Sequence, residues 1–206
     1  MYTGSKNNYY FQFTMSKNII LELYKSQKTV FTISEIALIW EEKNPKNTRA
    51  KIKYYVDNGD LIRLRRGIYG KSNYDRLELA TKIYTPAYIS FETVSRREGM
   101  TFQYYETVFV ASYLSREIKL KNSQKIQYWK LKDEILLNPQ GIIQKENYSI
   151  ASKERAFMDM IYLRPHYYFD NLNSLDWEKC FALLDVYENK NMRNILKDYQ
   201  KKYAQQ

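Results

Sequence analysis

Cysteine and histidine each occur once in this chain of 206 residues, as Cys180 and His166. A single cysteine excludes an internal disulfide framework and any paired-cysteine metal site, and it fits a reducing cytosol. A lone histidine excludes a His-rich zinc centre. Cys180, in Trp177-Glu-Lys-Cys-Phe-Ala-Leu-Leu, reads as a buried, inert helix-interior thiol, and His166, in Arg-Pro-His-Tyr-Tyr, as a loop residue. No apolar run approaches the length of a membrane span, and the start lacks the apolar core and small-residue site of a secretory signal. A cytoplasmic protein with no membrane partner is therefore expected. P-loop, dinucleotide-fingerprint, HExxH and GxSxG patterns are all missing, as are repeats at solenoid spacing, and no cofactor is implied.

What is present is apolar surface and positive charge. Hydrophobic residues make up 44% of the chain and aromatics 16%, enough to offset chain entropy in a globular fold. The 21 tyrosines, among them Tyr54-Tyr55, Tyr104-Tyr105 and Tyr167-Tyr168, read mostly as core residues with one polar tip. The formal net charge is +10, and +6 of it falls between Lys46 and Lys71, where eight Lys or Arg meet only Asp57 and Asp60. Charge that concentrated points to a polyanion, with DNA the first candidate.

Helix and strand signals place that charge. Residues 1–15 read as a loose arm, and Met15 offers a second start. A helix from about Ser16 to Ser26 carries Ile19, Ile20, Leu23 and Tyr24 on one face. Phe31 to Trp40 follows, with Thr32 and Glu35 at capping-box spacing and Ile36, Ile39 and Trp40 inside. Asn44-Pro45 opens a third helix, Lys46 to Asn58, with Ala50, Tyr54 and Val56 expected to face the first two. Asn58-Gly59 stops it, and Asp60 to Arg65 with Gly67 to Gly70 read as two strands around a turn at Arg66-Gly67. Three helices and a hairpin in that order predict a winged helix-turn-helix over 16–74. Its DNA surface would comprise Lys46, Asn47, Thr48, Arg49, Lys51 and Lys53 on the helix and Arg63, Arg65 and Arg66 on the wing.

Residues 75–206 read as a second, mixed α+β domain, and the fold class as α+β. A helix from Asp75 to Tyr84 runs up to Pro86, and a short helix over Phe91 to Glu98 ends at Gly99. Strands are expected at Thr107–Ser112, Glu117–Leu120 and Ile126–Leu131. Ser152 caps a helix from Lys153 to Leu163, and helices near Trp177–Glu188 and Asn191–Tyr203 close the chain. Glu117 and Lys119, on one face of a strand, are half of a metal-dependent nuclease pattern without a second acidic ligand. That nuclease, and a winged helix used only to dock protein, are the alternatives to DNA binding by a non-enzyme.

Three stretches, Leu64-Arg-Arg-Gly-Ile-Tyr, Pro86-Ala-Tyr-Ile-Ser-Phe-Glu and Ile150-Ala-Ser-Lys-Glu-Arg-Ala-Phe-Met-Asp-Met-Ile-Tyr-Leu, give the chain a resemblance to the AbiEi family. These are abortive-infection proteins, the antitoxins and autoregulators of type IV toxin–antitoxin pairs. The resemblance implies an N-terminal winged helix on inverted repeats in the protein's own promoter, so double-stranded DNA is the expected partner. It also implies a C-terminal antitoxin-like domain that counters a nucleotidyltransferase toxin without needing a stable complex with it, in phage defence. The Phe157-Met-Asp-Met helix departs from the leucine-rich family version.

Overall fold

The computed structural model describes residues 19–103, 106–120 and 124–203. The expected arm over residues 1–15, the start of the first helix at Ser16 and the Tyr104-Tyr105 pair lie outside that range. The first six elements are α1 (Ile19–Lys25), β1 (Val30–Thr32), α2 (Ile33–Ile39), α3 (Pro45–Asp57), β2 (Ile62–Arg65) and β3 (Ile68–Gly70). Their boundaries follow from the signals in the sequence. At α2, Glu35 N–H donates to Thr32 Oγ1 at 3.2 Å and Thr32 N–H donates to Glu35 Oε2 at 2.8 Å, a reciprocal capping box. Pro45 opens α3 while Asn44 Oδ1 accepts from Lys46 N–H at 2.9 Å. The turn at Arg66-Gly67 needs the positive φ, 79°, that Gly67 supplies.

β1 is an addition to the expected plan. It pairs antiparallel with β3, setting Phe31 against Tyr69, and gives a three-stranded sheet in the order β1-β3-β2. Three residues are too few for strand alternation to stand out beside the stronger capping signal at Thr32.

The two faces of that small sheet belong to two cores. Phe31 and Tyr69 pack with Ile20, Leu23, Ile36, Trp40, Ile52 and Leu61 beneath α1–α3. Val30 and Ile68, with Leu64, join the larger core built by the rest of the chain. The next helix, α4 (Arg76–Ile83), seals the seam: Glu78, fully buried, accepts from Thr29 N–H at 2.8 Å and Thr29 Oγ1 at 2.7 Å. Lys82 also reaches back, donating to both oxygens of Glu35 at 2.9 Å.

Beyond α4 come β4 (Ala87–Ile89), α5 (Glu92–Arg97), β5 (Val108–Ser112), β6 (Arg116–Lys119), β7 (Lys125–Lys130), α6 (Asp133–Leu136), β8 (Ile142–Gln144), β9 (Ser149–Ala151), α7 (Lys153–Leu163), α8 (Trp177–Ala182), α9 (Leu184–Tyr187) and α10 (Met192–Tyr203). The strands form one mixed sheet, β6-β7-β5-β4-β9-β8, in which β5–β7 and β4–β9 are parallel pairs. The fold class is α+β. β4, β8 and β9 were not expected, each being three residues long, and β4 finds β9 some 60 residues away through Ile89 and Ile150. The helix expected over Trp177–Glu188 breaks at Leu183 into two.

Inside α7 lies a charged network that its apolar pattern conceals. Arg155 and Asp159 are fully buried, and Arg155 Nε donates to Asp159 Oδ1 at 3.1 Å. Tyr187 Oη donates to the same oxygen at 2.7 Å, and Tyr88 Oη and Ser90 Oγ donate to Oδ2 at 3.0 and 2.7 Å. The remaining guanidinium N–H groups reach the carbonyls of Ile135, Asn138 and Gln140 and the oxygen of Tyr88. Burial, and then the nearby Asp159 carboxylate, hold the Tyr88 and Tyr187 hydroxyls well above the usual phenol range. One ion pair thus joins β4, α7, α9 and the loop after α6.

Candidate nucleic-acid interface

α3 has one face in the core and one in solvent, and the division differs from the expected one. Thr48 and Ile52 are buried, with Tyr55 and Val56 packed beside them. Thr48 is 0% exposed and its Oγ1 donates to Asn44 O at 3.2 Å, so it cannot meet a base edge. Ala50 and Tyr54, expected inside, are exposed instead. The core row is Thr48-Ile52-Tyr55, at i, i+4 and i+7. The choice was hard to read because α3 carries so few apolar residues that two stripes compete.

The outward face therefore presents Lys46, Asn47, Arg49, Ala50, Lys53 and Tyr54. Lys53 pairs with Asp57 one turn on, and Lys51, half-buried at the edge, pairs with Glu42 at 2.6 Å. Glu42 also accepts from Asn44 N–H at 3.0 Å. Its carboxyl is held below the usual range first by Lys51, with Asn44 N–H and the Asn47 amide adding to the effect. Lys46 and Arg49 are exposed with no ion pair among the described residues.

The hairpin splits its three arginines. β2 carries a bulge between Arg63 and Arg65, so Arg63 sits opposite Tyr69 while Arg65 sits opposite Ile68. Cross-strand partners share a face, and the extra residue turns Arg65 to the side opposite Arg63. Arg63 keeps to the α1–α3 side and is exposed; Arg65 is half-buried toward the larger sheet. There its charge pulls the Tyr128 hydroxyl down against the larger upward push of burial. Arg66 is exposed at the turn, whose Gly67 carbonyl accepts from Ile33 N–H at 3.3 Å. The hairpin tip is thus tied to the start of α2. Lys71, counted in the local charge, is buried with its ammonium on the carbonyls of Ser26 at 2.6 Å and Tyr24 at 3.3 Å. Of the eight cations between Lys46 and Lys71, four, Lys46, Arg49, Arg63 and Arg66, remain exposed without an ion pair among the described residues.

The other candidates separate cleanly. Glu117 and Lys119 lie on edge strand β6, both exposed, and Glu117 is paired with Lys125 at 3.3 Å. Among the described residues no group of three His, Cys, Asp or Glu is placed to hold a metal ion. Cys180 is buried, and burial first, with Glu154 and Asp176 adding to it, pushes its thiol up to about 12. His166 is exposed in the loop after α7. No helix among the described residues is long and apolar enough to cross a membrane.

No protein-family model matches the sequence, and no curated protein matches it. Among solved structures, the chain is similar to the crystal structure of the RV2827C protein from Mycobacterium tuberculosis, at 9% identity and a TM-score of 0.47, over 87% of this chain and 70% of that one.

Proposed function

We propose that this chain is a sequence-specific DNA-binding protein that represses its own promoter, using α1 to β3 as a winged helix-turn-helix. The observation that carries the reading is the division of α3. One row, Thr48, Ile52 and Tyr55, is held against α1 and α2, while Lys46, Asn47 and Arg49 stand outward at the helix N-terminus, the end that such helices place on base edges. Arg49 and Asn47 are of the types that pair bidentately with guanine and adenine, and Arg63 and Arg66 suit phosphates. The resemblance of residues 64–69, 86–92 and 150–163 to AbiEi proteins supports a type IV toxin–antitoxin operon as the setting. A neighbouring nucleotidyltransferase toxin would be the protein's functional counterpart in the cytoplasm.

The test is titration of the purified chain with the duplex immediately upstream of its own coding sequence and with a scrambled duplex of equal length, at moderate salt. Preference for its own DNA is expected; equal affinity for both would end the reading.

A further inference from the structure

We infer that Ala50 and Tyr54 form an apolar strip in the recognition face that reads thymine, by contact with its C5-methyl group in the major groove. This rests on the DNA-binding reading above and names the base class it selects.

Tyr54 is 61% exposed and stands among the lysines and arginine of the outward face of α3. It is also braced. Its ring meets Tyr55 edge-on at 5.2 Å between centroids and 79° between planes, and Tyr55 in turn meets Trp40 at 5.6 Å. Trp40 is anchored in the core, its indole N–H donating to Ile19 O at 2.8 Å. The ring is therefore preorganised, so engaging a partner loses little side-chain entropy. Ala50 is its i−4 neighbour, one turn toward the helix N-terminus on the same face.

The cations around this strip argue for its occupant. Lys46 and Arg49 precede it and Lys53 flanks it, so an apolar protein surface would bury charge there, whereas a duplex offers phosphates to the cations and methyl groups to the strip. From Lys46 to Tyr54 the helix advances about 12 Å, the length of three to four base pairs. In the major groove only thymine presents a methyl group, and alanine methyls and aromatic rings are the side chains that meet it.

The test compares thymine with uracil, which differ by that methyl alone. Duplexes enriched from a random-sequence pool by the full-length chain are remade with deoxyuridine in place of thymidine and titrated with the wild-type chain, Tyr54→Phe and Tyr54→Ala. The wild type and Tyr54→Phe are expected to bind the uracil duplex about fourfold more weakly per methyl lost, and Tyr54→Ala to bind both duplexes more nearly alike. Equal wild-type affinity for the two duplexes overturns the inference and leaves DNA binding intact. So does a Tyr54→Phe loss as large as that of Tyr54→Ala with discrimination unchanged, which would assign the hydroxyl to a phosphate. If the pool yields no bound duplex, the DNA-binding reading itself falls.

Discussion

Thr48 and Tyr54 exchanged places between sequence and structure, and the exchange shows what sets a residue's role on a marginally apolar helix. Thr48 satisfies its hydroxyl locally on Asn44 O, which removes the main obstacle to burying it. Tyr54 can leave its ring outside because Tyr55 supplies the aromatic contact to Trp40. The Arg155–Asp159 pair was legible in principle, as opposite charges at i and i+4 in an otherwise apolar run; its burial was not, because its partners Tyr88 and Tyr187 come from distant parts of the chain. Asp159→Ala would leave Arg155 charged and unpaired in the core and is expected to cost about 3–5 kcal/mol, read as a lower urea midpoint. A loss below about 1 kcal/mol would contradict the network as described.

Glu35 makes a pH prediction at the same scale. Burial pushes its carboxyl up, but hydrogen bonds from Lys28, Thr32 N–H and Lys82 together outweigh that and lower it from 4.5 to about 2. A carboxyl depressed on folding stabilises the native state above its unfolded pKa, and that contribution fades as pH falls from about 4.5 toward 2. Thermal midpoints measured between pH 5 and pH 2 should therefore fall less steeply for Glu35→Gln than for the wild type. Parallel curves would remove Glu35 from the seam.

Among the elements, α2 and α3 begin where the sequence says because capping residues and Pro45 act within one turn. β1, β4, β8 and β9 were hidden because three-residue strands hold no readable alternation and are fixed by their neighbours. The bulge in β2 is the costliest of these omissions, since it reverses which arginines act together. Replacing Arg63 and Arg66 with alanine is expected to flatten the salt dependence of DNA binding by about two in the log–log slope, whereas Arg65→Ala should leave that slope unchanged. An equal effect of Arg65→Ala in salt titrations would restore the unbulged picture.

For the whole molecule, the β1-β3-β2 sheet is a wall shared by two cores and not the edge of a tethered module. The two domains expected over 16–74 and 75–206 share contacts: Val30 and Ile68 pack in the larger core, and the Thr29–Glu78 bonds join the two stretches. Thermal unfolding of the full chain should accordingly follow one transition by both tryptophan fluorescence and far-ultraviolet circular dichroism. Two separated transitions would mean that the cores melt independently. The hairpin that follows α3 thus packs into both cores, Tyr69 in the smaller and Ile68 with Leu64 in the larger.

If α3 and the hairpin form a DNA surface as proposed, binding to the duplex upstream of the chain's own coding sequence must weaken with salt in step with their free cations. With Lys46, Arg63 and Arg66 each neutralising one phosphate and Arg49 on a base edge, the logarithm of the association constant should fall with the logarithm of salt concentration at a slope of about −3. Lys46→Ala with Arg49→Ala should bring that slope to about −2 and erase preference over scrambled DNA. A double variant that binds and discriminates like the wild type would contradict the account.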